Sequence, residues 1–380
     1  MGLRGGQLVN MQNPASYSAV DSLTMMFDCG VTGQTTNFKE GGKKVNANTA
    51  DFDYAVALFR VMPKMGVSVG FVPYTNVGYS YSVESYAQDA QTGAVNKDNK
   101  GTYSYTGTGG LSQAYVGIGY EVLRGLSIGA NLSYLWGNYT KSTIVTNSDS
   151  YASIMTQSYK TTVSSYKIDL GAQWQHRLDK NNLLTLGATI GIGHKLGADA
   201  EFVRSNTSES QADTSKVVNA FSVPFSFGVG GTLLHKNNLT VGLDYTFQKW
   251  GSLDYPRIDA GSSSYVLMGG LLSDRHKVAV GADWIPSAMS RRYYNRVHYR
   301  AGMYYSTPYY KINGSSGPSE FGVSAGVGLP ITNSWNNRSV LNVSAQWVRC
   351  SQSSFITENT FRINIGLTFN ERWFAKWKVD

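Results

Sequence analysis

Residues 239–248 read Leu-Thr-Val-Gly-Leu-Asp-Tyr-Thr-Phe-Gln. In an extended chain, Leu239, Val241, Leu243, Tyr245 and Phe247 share one face, and Thr240, Gly242, Asp244, Thr246 and Gln248 share the other. Such strict alternation marks a β-strand with one oily and one wet side. The same division recurs at 126–136, 166–174, 321–329 and 361–369, and after the stretch 1–20 no segment carries a convincing helical period.

Alternation alone does not say which face is buried. The wet face carries Asp53, Lys167, Asp169, Asp244, Asp283, Arg300 and Arg362 among many glycines. An unpaired charge in a dry core costs several kcal/mol. A hydrated interior tolerates it, so the oily face is expected to point outward. Aromatic residues at Tyr120, Trp136, Trp174, Trp250, Trp284, Trp347, Trp373 and Trp377 are expected near strand ends, where they would form interfacial girdles.

The connections alternate between short and long. Short turns are expected near 63–64, 123–125, 179–182, 235–238, 290–292 and 333–337, and longer polar loops near 39–48, 87–100, 147–158, 204–214, 254–274, 313–317 and 351–357. Six turns and seven loops join fourteen strands, an even number that returns both ends of the chain to one side. Arms such as 64–85 and 124–146 run about 20 residues, whereas a bilayer needs about 9 to 11 tilted ones. The expected fold is all-β: a fourteen-stranded antiparallel transmembrane β-barrel spanning 21–380, preceded by a hatch-like plug over 1–20.

Composition agrees. Only 15% of the 380 residues are charged, while Gly supplies 41 and Tyr 25. Uncharged stretches such as 65–83 are too rich in Gly, Ser, Thr and Tyr for a membrane helix, and mean hydropathy is −0.24. The net charge of +8 is scattered and forms no basic stripe, which argues against nucleic acid and for anionic headgroups and membrane lipids as partners. Cys29 and Cys350 belong to no CxxC or Cys/His cluster and are expected as free thiols. No apolar export segment follows Met1, so the chain is read as beginning after processing.

Catalysis is not expected. His176, His194, His235, His276 and His298 are dispersed, and no HExxH, Walker or EF-hand spacing occurs, so neither metal nor cofactor is implied. Asp169, Asp244, Asp283, Arg300 and Arg362 are expected as a polar network filling the lumen. Pro73 lacks the N–H that a ladder needs and Gly70 and Gly78 flank it, so the third strand is expected to carry a wall irregularity there.

Asn13-Pro14-Ala15 before the first strand, Gly70-Phe71-Val72-Pro73-Tyr74 in the third and Gly109-Gly110-Leu111 opening the fourth resemble the FadL-type outer-membrane transporters. So does the fourteen-strand count. Tyr299-Arg300-Ala301-Gly302, Thr307-Pro308-Tyr309 and Gly326-Val327-Gly328-Leu329-Pro330 look like a poorly characterised branch of that family. The resemblance implies a barrel of the Gram-negative outer membrane that takes up small hydrophobic, fatty-acid-like compounds past an N-terminal hatch, with sideways exit at the third strand. Asn13, Pro14 and Ala15 would belong to the hatch, and Gly70, Pro73 and Gly78 to the lateral gate. The segment 1–20 ahead of the first strand is shorter than a full hatch of that family. The alternative is a noncatalytic subunit of an outer-membrane secretion or barrel-assembly complex, partnered by other outer-membrane or periplasmic proteins. Both chain ends are expected in the periplasm.

Overall fold

The computed structural model describes residues 1–22, 24–40, 43–88, 95–149, 151–259, 261, 264–312, 314–332, 338–352 and 357–372. Among these residues, fourteen antiparallel strands close into a ring. The first seven are β1 (Thr24–Glu40), β2 (Lys43–Met62), β3 (Met65–Gln88), β4 (Val95–Leu123), β5 (Leu126–Asn147), β6 (Met155–Arg177) and β7 (Asn182–Gly191). The others are β8 (Ser226–His235), β9 (Leu239–Gln248), β10 (Arg275–Trp284), β11 (His298–Ser306), β12 (Ser319–Thr332), β13 (Arg338–Ser351) and β14 (Thr357–Arg372). Each pairs with its sequence neighbour, and β1 closes on β14 from Thr24↔Arg372 to Lys39↔Thr357. Closure removes the sheet edges that lipid could not satisfy.

The two faces divide as the alternation requires. Leu132 is 59% exposed and Leu243 57%, whereas the wet-face residues Ser127 and Ser133 are sealed at 0% and 1%. A soluble fold would leave those oily side chains in water at about 1.5–3 kcal/mol apiece; in a bilayer they meet hydrocarbon. Among the described residues, no helix is long and apolar enough to cross a membrane.

Short turns fall at 63–64, 123–125, 179–182 and 235–238 as the sequence marks them, but 290–292 lies in the longer connection from Trp284 to His298, which carries a 3-10 turn over Tyr293–Arg296. Lys236 and Asn237 both have positive φ, 49° and 57°, the backbone of a tight hairpin whose twist matches its strands. Gly125 supplies φ 82° between β4 and β5. Cys29 and Cys350 are free. Tyr120, Trp174 and Trp284 stand near the short-turn ends of β4, β6 and β10, but Trp136 and Trp347 lie inside β5 and β13. Trp373, Trp377 and the turn at 333–337 fall outside the described residues.

Several expected loops are strand instead. The β1–β2 ladder runs to Glu40↔Lys43 and the β3–β4 ladder to Gln88↔Val95, so most of 39–48 and part of 87–100 extend the wall. Polar residues on both faces hid these extensions, because a strand clear of lipid needs no oily side. Gly109 and Gly110 therefore sit within β4 and do not open it. Their φ values of 103° and 156°, with 144° at Gly137 beside them on β5, bend the wall where side chains would collide.

The connection between β7 and β8 folds inward. His194–Lys195 pairs with Ser222–Val223, which leaves Pro224 just ahead of β8. The hairpin Ala200–Asn206 and Asp213–Val217 adds to the upper part of β6 from Met155↔Asn206 to Thr161↔Ala200. The lower part of β6 keeps β7 as its partner, from Asp169↔Gly191 to Arg177↔Leu183. One long strand thus serves two neighbours.

Candidate functional site

Residues 1–20 lie inside the ring. Pro14–Ala19 forms a 3-10 turn, for which the fixed φ of Pro14 is preset. Asn13 caps it, its Oδ1 accepting from the Ala15 N–H at 3.2 Å. The Nδ2 of Asn13 donates to the Met1 carbonyl at 3.0 Å and to the wall carbonyl of Ala172 at 3.1 Å. Gln173 donates to the carbonyls of Met1 and Leu3 at 2.9 and 3.1 Å. Arg4 donates to Ser18 Oγ at 3.0 Å, and Ser18 in turn meets Ser127 Oγ at 3.0 Å. Residues from Asn13 to Ser18 are all buried.

The wall facing this segment is made of glycine. A Cβ on Gly129 would stand 2.4 Å from the Pro14 carbonyl carbon, and one on Gly119 2.5 Å from the Pro14 oxygen. At Gly66 it would meet the Tyr17 oxygen at 2.1 Å, at Gly171 the Asn13 Oδ1 at 2.2 Å, and at Gly187 the Met1 oxygen at 2.3 Å. These contacts are mostly with backbone, which cannot swing aside. The alternation reads Gly129 and Gly171 as hydrated lumen positions. They are instead a bare surface on which another stretch of chain rests.

Ionic and polar groups stand elsewhere around the ring. Asp283 accepts from His298 Nδ1 and Arg300 Nε, each at 3.1 Å, and Arg300 Nη1 donates to Asn342 at 2.7 Å. Asn342 continues to Thr368 at 3.2 Å. Arg362 donates to Gln34 at 2.8 Å, Asp169 pairs with Lys167, and Asp244 lies 2.7 Å from the Met1 nitrogen. Of the five charges expected to form one network, only Asp283 and Arg300 meet. The others hold separate local partners, because their strands carry them to different sectors of the ring.

The lumen is also less polar than its sequence face suggests. Tyr17 packs with Val20, Met26, Val56, Leu58 and Tyr115 beneath β1–β4. A second apolar cluster joins Leu111, Leu135 and Val163 of the wall to Leu196, Ala198 and Val223 of the inward connection, with Tyr74 and Phe221 against it. The expectation of a uniformly wet lumen fails here. Inward folding of residues after β7 supplies an apolar partner that local alternation cannot announce.

The hydrogen-bond ladder between β2 and β3 ends beside Pro73. The β2–β3 ladder runs from Met62↔Met65 only to Ala55↔Phe71. Beyond it, among the described residues, β2 pairs with β1 alone and β3 with β4 alone, and the β3–β4 register slips between Pro73 and Thr75. Asn76 Nδ2 still reaches Asp51 Oδ1 at 2.7 Å across the gap. Gly70 lies just below, where a Cβ would strike Tyr115 and Val56 at 2.6 Å; Gly78 lies above in open space. Among the described residues no group of three or more His, Cys, Asp or Glu side chains gathers into a metal site.

The family model that fits this chain is BamG, matched over residues 6–380. The chain belongs to the BamG family. No curated protein matches its sequence. Solved structures share the barrel of this BamG member at low identity. A FadL homologue from Pseudomonas aeruginosa aligns with TM-score 0.62 at 12% identity, covering 97% of this chain and 96% of its own. The CymD monoaromatic hydrocarbon channel aligns with TM-score 0.61 at 12% identity, covering 96% and 93%. The toluene transporter TbuX of Ralstonia pickettii follows at 0.59 and 13%, covering 96% and 92%. The FadL-type resemblance read from the sequence thus holds as a likeness of fold, and BamG is a family distinct from it.

Proposed function

We propose that this BamG-family barrel sits in the outer membrane of a Gram-negative bacterium, both ends periplasmic, and passes small hydrophobic, fatty-acid-like compounds without covalent chemistry. Residues 1–20 act as the hatch, and the exit into lipid lies beside β3. Tyr74 carries this reading. It follows Pro73 at the end of the β2–β3 ladder and packs against the cluster of Leu111, Leu135 and Val163. Apolar contacts therefore lead from the lumen to the place where the wall loses its hydrogen bonds. A hydrophobic solute on that route sheds water once and avoids the ionic groups, gaining about 25 cal/mol for each Å² of apolar surface removed from water. CymD, a monoaromatic hydrocarbon channel, and TbuX, a toluene transporter, support a small hydrophobic cargo.

The test closes the gap chemically. With Cys29 and Cys350 replaced by alanine, D51C and N76C are joined by a short bismaleimide. Uptake of a fluorescent fatty acid into outer-membrane vesicles falls to the level of vesicles lacking the barrel, while the unjoined double variant transports. Equal uptake by joined and unjoined protein overturns the lateral exit.

A second reading, a noncatalytic subunit of a secretion or barrel-assembly complex, draws on the outer surface. Ala282, Ala301, Ala325 and Ala345 stand in direct cross-strand register on β10–β13 and form a furrow of about 740 Å³. Stable copurification with other envelope proteins, lost when A301F and A325F fill the furrow, would favour it over transport.

A further inference from the structure

We infer that the unpaired edge of β3 beyond Pro73 is a docking edge for an extended polypeptide segment of a partner protein, added as a strand. The inference stands apart from the transport reading, since it concerns chain that projects beyond the bilayer. β3 leaves its short turn at Met65, and roughly 9 to 11 tilted residues cross the membrane. From about Asn76 to Tyr86 the strand stands clear on the side away from the short turns; among the described residues its backbone ladder is with β4 only, and the Asn76 side chain reaches Asp51 of β2 at the base. Across the gap, β2 from Lys44 to Tyr54 is likewise held only by β1.

Two facing edges, each with a row of backbone N–H and C=O groups, match the alternating donors and acceptors of another extended chain. Natural proteins usually blunt such edges with charge, proline or a covering element. The β3 edge from Val72 to Tyr86 carries one charged side chain, Glu84, and that is paired with Lys100 of β4. Its one proline, Pro73, stands at the base.

The side chains beside the edge suit a peptide as well. Tyr79, Tyr81 and Val83 share a face with Tyr103 and Tyr105 of β4, through the pairs Tyr81↔Tyr105 and Val83↔Tyr103. Tyr81 stacks on Tyr105 at 5.1 Å between ring centroids, and Tyr79 lies 5.9 Å from Tyr81 over the bare Gly107. Tyr81 is nonetheless 54% exposed and Tyr79 40%. Rigid tyrosines with one oily face and one hydroxyl give large contact area at small entropic cost, the composition favoured where polypeptides are recognised. A segment added to β3 would lay every second side chain over this row.

The experiment pans a phage-displayed library of random dodecapeptides against the detergent-purified full chain, then measures one selected synthetic peptide by fluorescence anisotropy and backbone hydrogen exchange. The expected peptide slows exchange at amides within 76–86 and loses affinity by about tenfold or more in Y79K/Y81K. Y79F/Y81F, which keeps the rings, stays within about threefold, and Y151A, at an exposed tyrosine elsewhere, changes nothing. Heat-modifiable gel migration checks that each variant is folded. Failure of the library to yield a binder, protection outside β3, or equal affinity for Y79K/Y81K overturns the inference. So does a preference of the same surface for soluble polysaccharide over peptide.

Discussion

The two sides of the lumen are filled by opposite means. Along β4–β7 the wall is glycine where residues 1–20 rest, and the polar groups of that segment bond to wall carbonyls and hydroxyls. Along β10–β14 the wall keeps long polar and charged side chains, Arg300 bonded to Asp283 and Asn342, and Arg362 to Gln34 of β1. The first arrangement is dry, close-packed and intolerant of added volume. The second leaves its charged groups partly exposed, Arg300 at 39% and Asp283 at 31%. Mutations on the two sides should therefore differ sharply in consequence, although the residues occupy equivalent positions in the alternation.

The sharpest break in that comparison comes from adding volume to the glycine wall. Gly129→Val must displace backbone at Pro14, and overpacking of this kind costs about 1–3 kcal/mol or expels the segment. Its expected signature is a protease-sensitive N-terminus on a barrel that still migrates as folded. A resistant N-terminus would show that the wall can yield.

Loss of a single anchor should do less. Asn13→Ala removes the cap on Ala15 and the bonds to Met1 and Ala172, a local loss of about 1–2 kcal/mol. Hydrogen exchange should then quicken across 13–19 and stay unchanged in β10–β14. Equal quickening on both sides would dissolve the distinction between them.

On the ionic wall, Asp283→Asn leaves His298 and Arg300 beside water. Partly exposed pairs contribute about 0–1 kcal/mol, so the thermal midpoint should shift little while the ion selectivity of any residual conductance changes. A large drop in midpoint would mean that this wall is dry too.

The smallest effect belongs to the turn after β6, outside the membrane-spanning part. Asn182 and the backbone N–H groups hold the Asp179 carboxyl below its ordinary range. A depressed carboxylate stabilises the fold above its unfolded pKa, and this contribution is lost as pH falls through the folded value. A carboxyl-carbon NMR titration of Asp179 should show the low midpoint, and Asn182→Ala should raise it.

The wall was legible in the sequence because its physics is local. Leu239 to Gln248 alternates because lipid and water lie on opposite sides of every residue, and the positive-φ turn at Lys236 and Asn237 is marked by its own residues. The interior was not legible, because its physics is between distant segments. Nothing near Gly171 says that Asn13 rests on it, and nothing near Leu135, inward and fully buried, says that Leu196 and Val223 arrive to cover it. The five lumen charges showed the same limit: alternation placed them inside but could not assign partners across strands. At Pro73 the residue itself foretold a local irregularity, while the end of the β2–β3 ladder depends on how two strands diverge.

The lumenal seat of the segment 1–20 is the claim on which the rest depends, and a crosslink tests it directly. Ser18 and Ser127 meet oxygen to oxygen at 3.0 Å, both buried. In a chain with Cys29 and Cys350 replaced by alanine, S18C/S127C should form a disulfide nearly to completion in intact outer membranes on mild oxidation, seen as a mobility shift that reductant reverses. A folded, heat-modifiable barrel whose two thiols stay free and react with a bulky aqueous maleimide would contradict it.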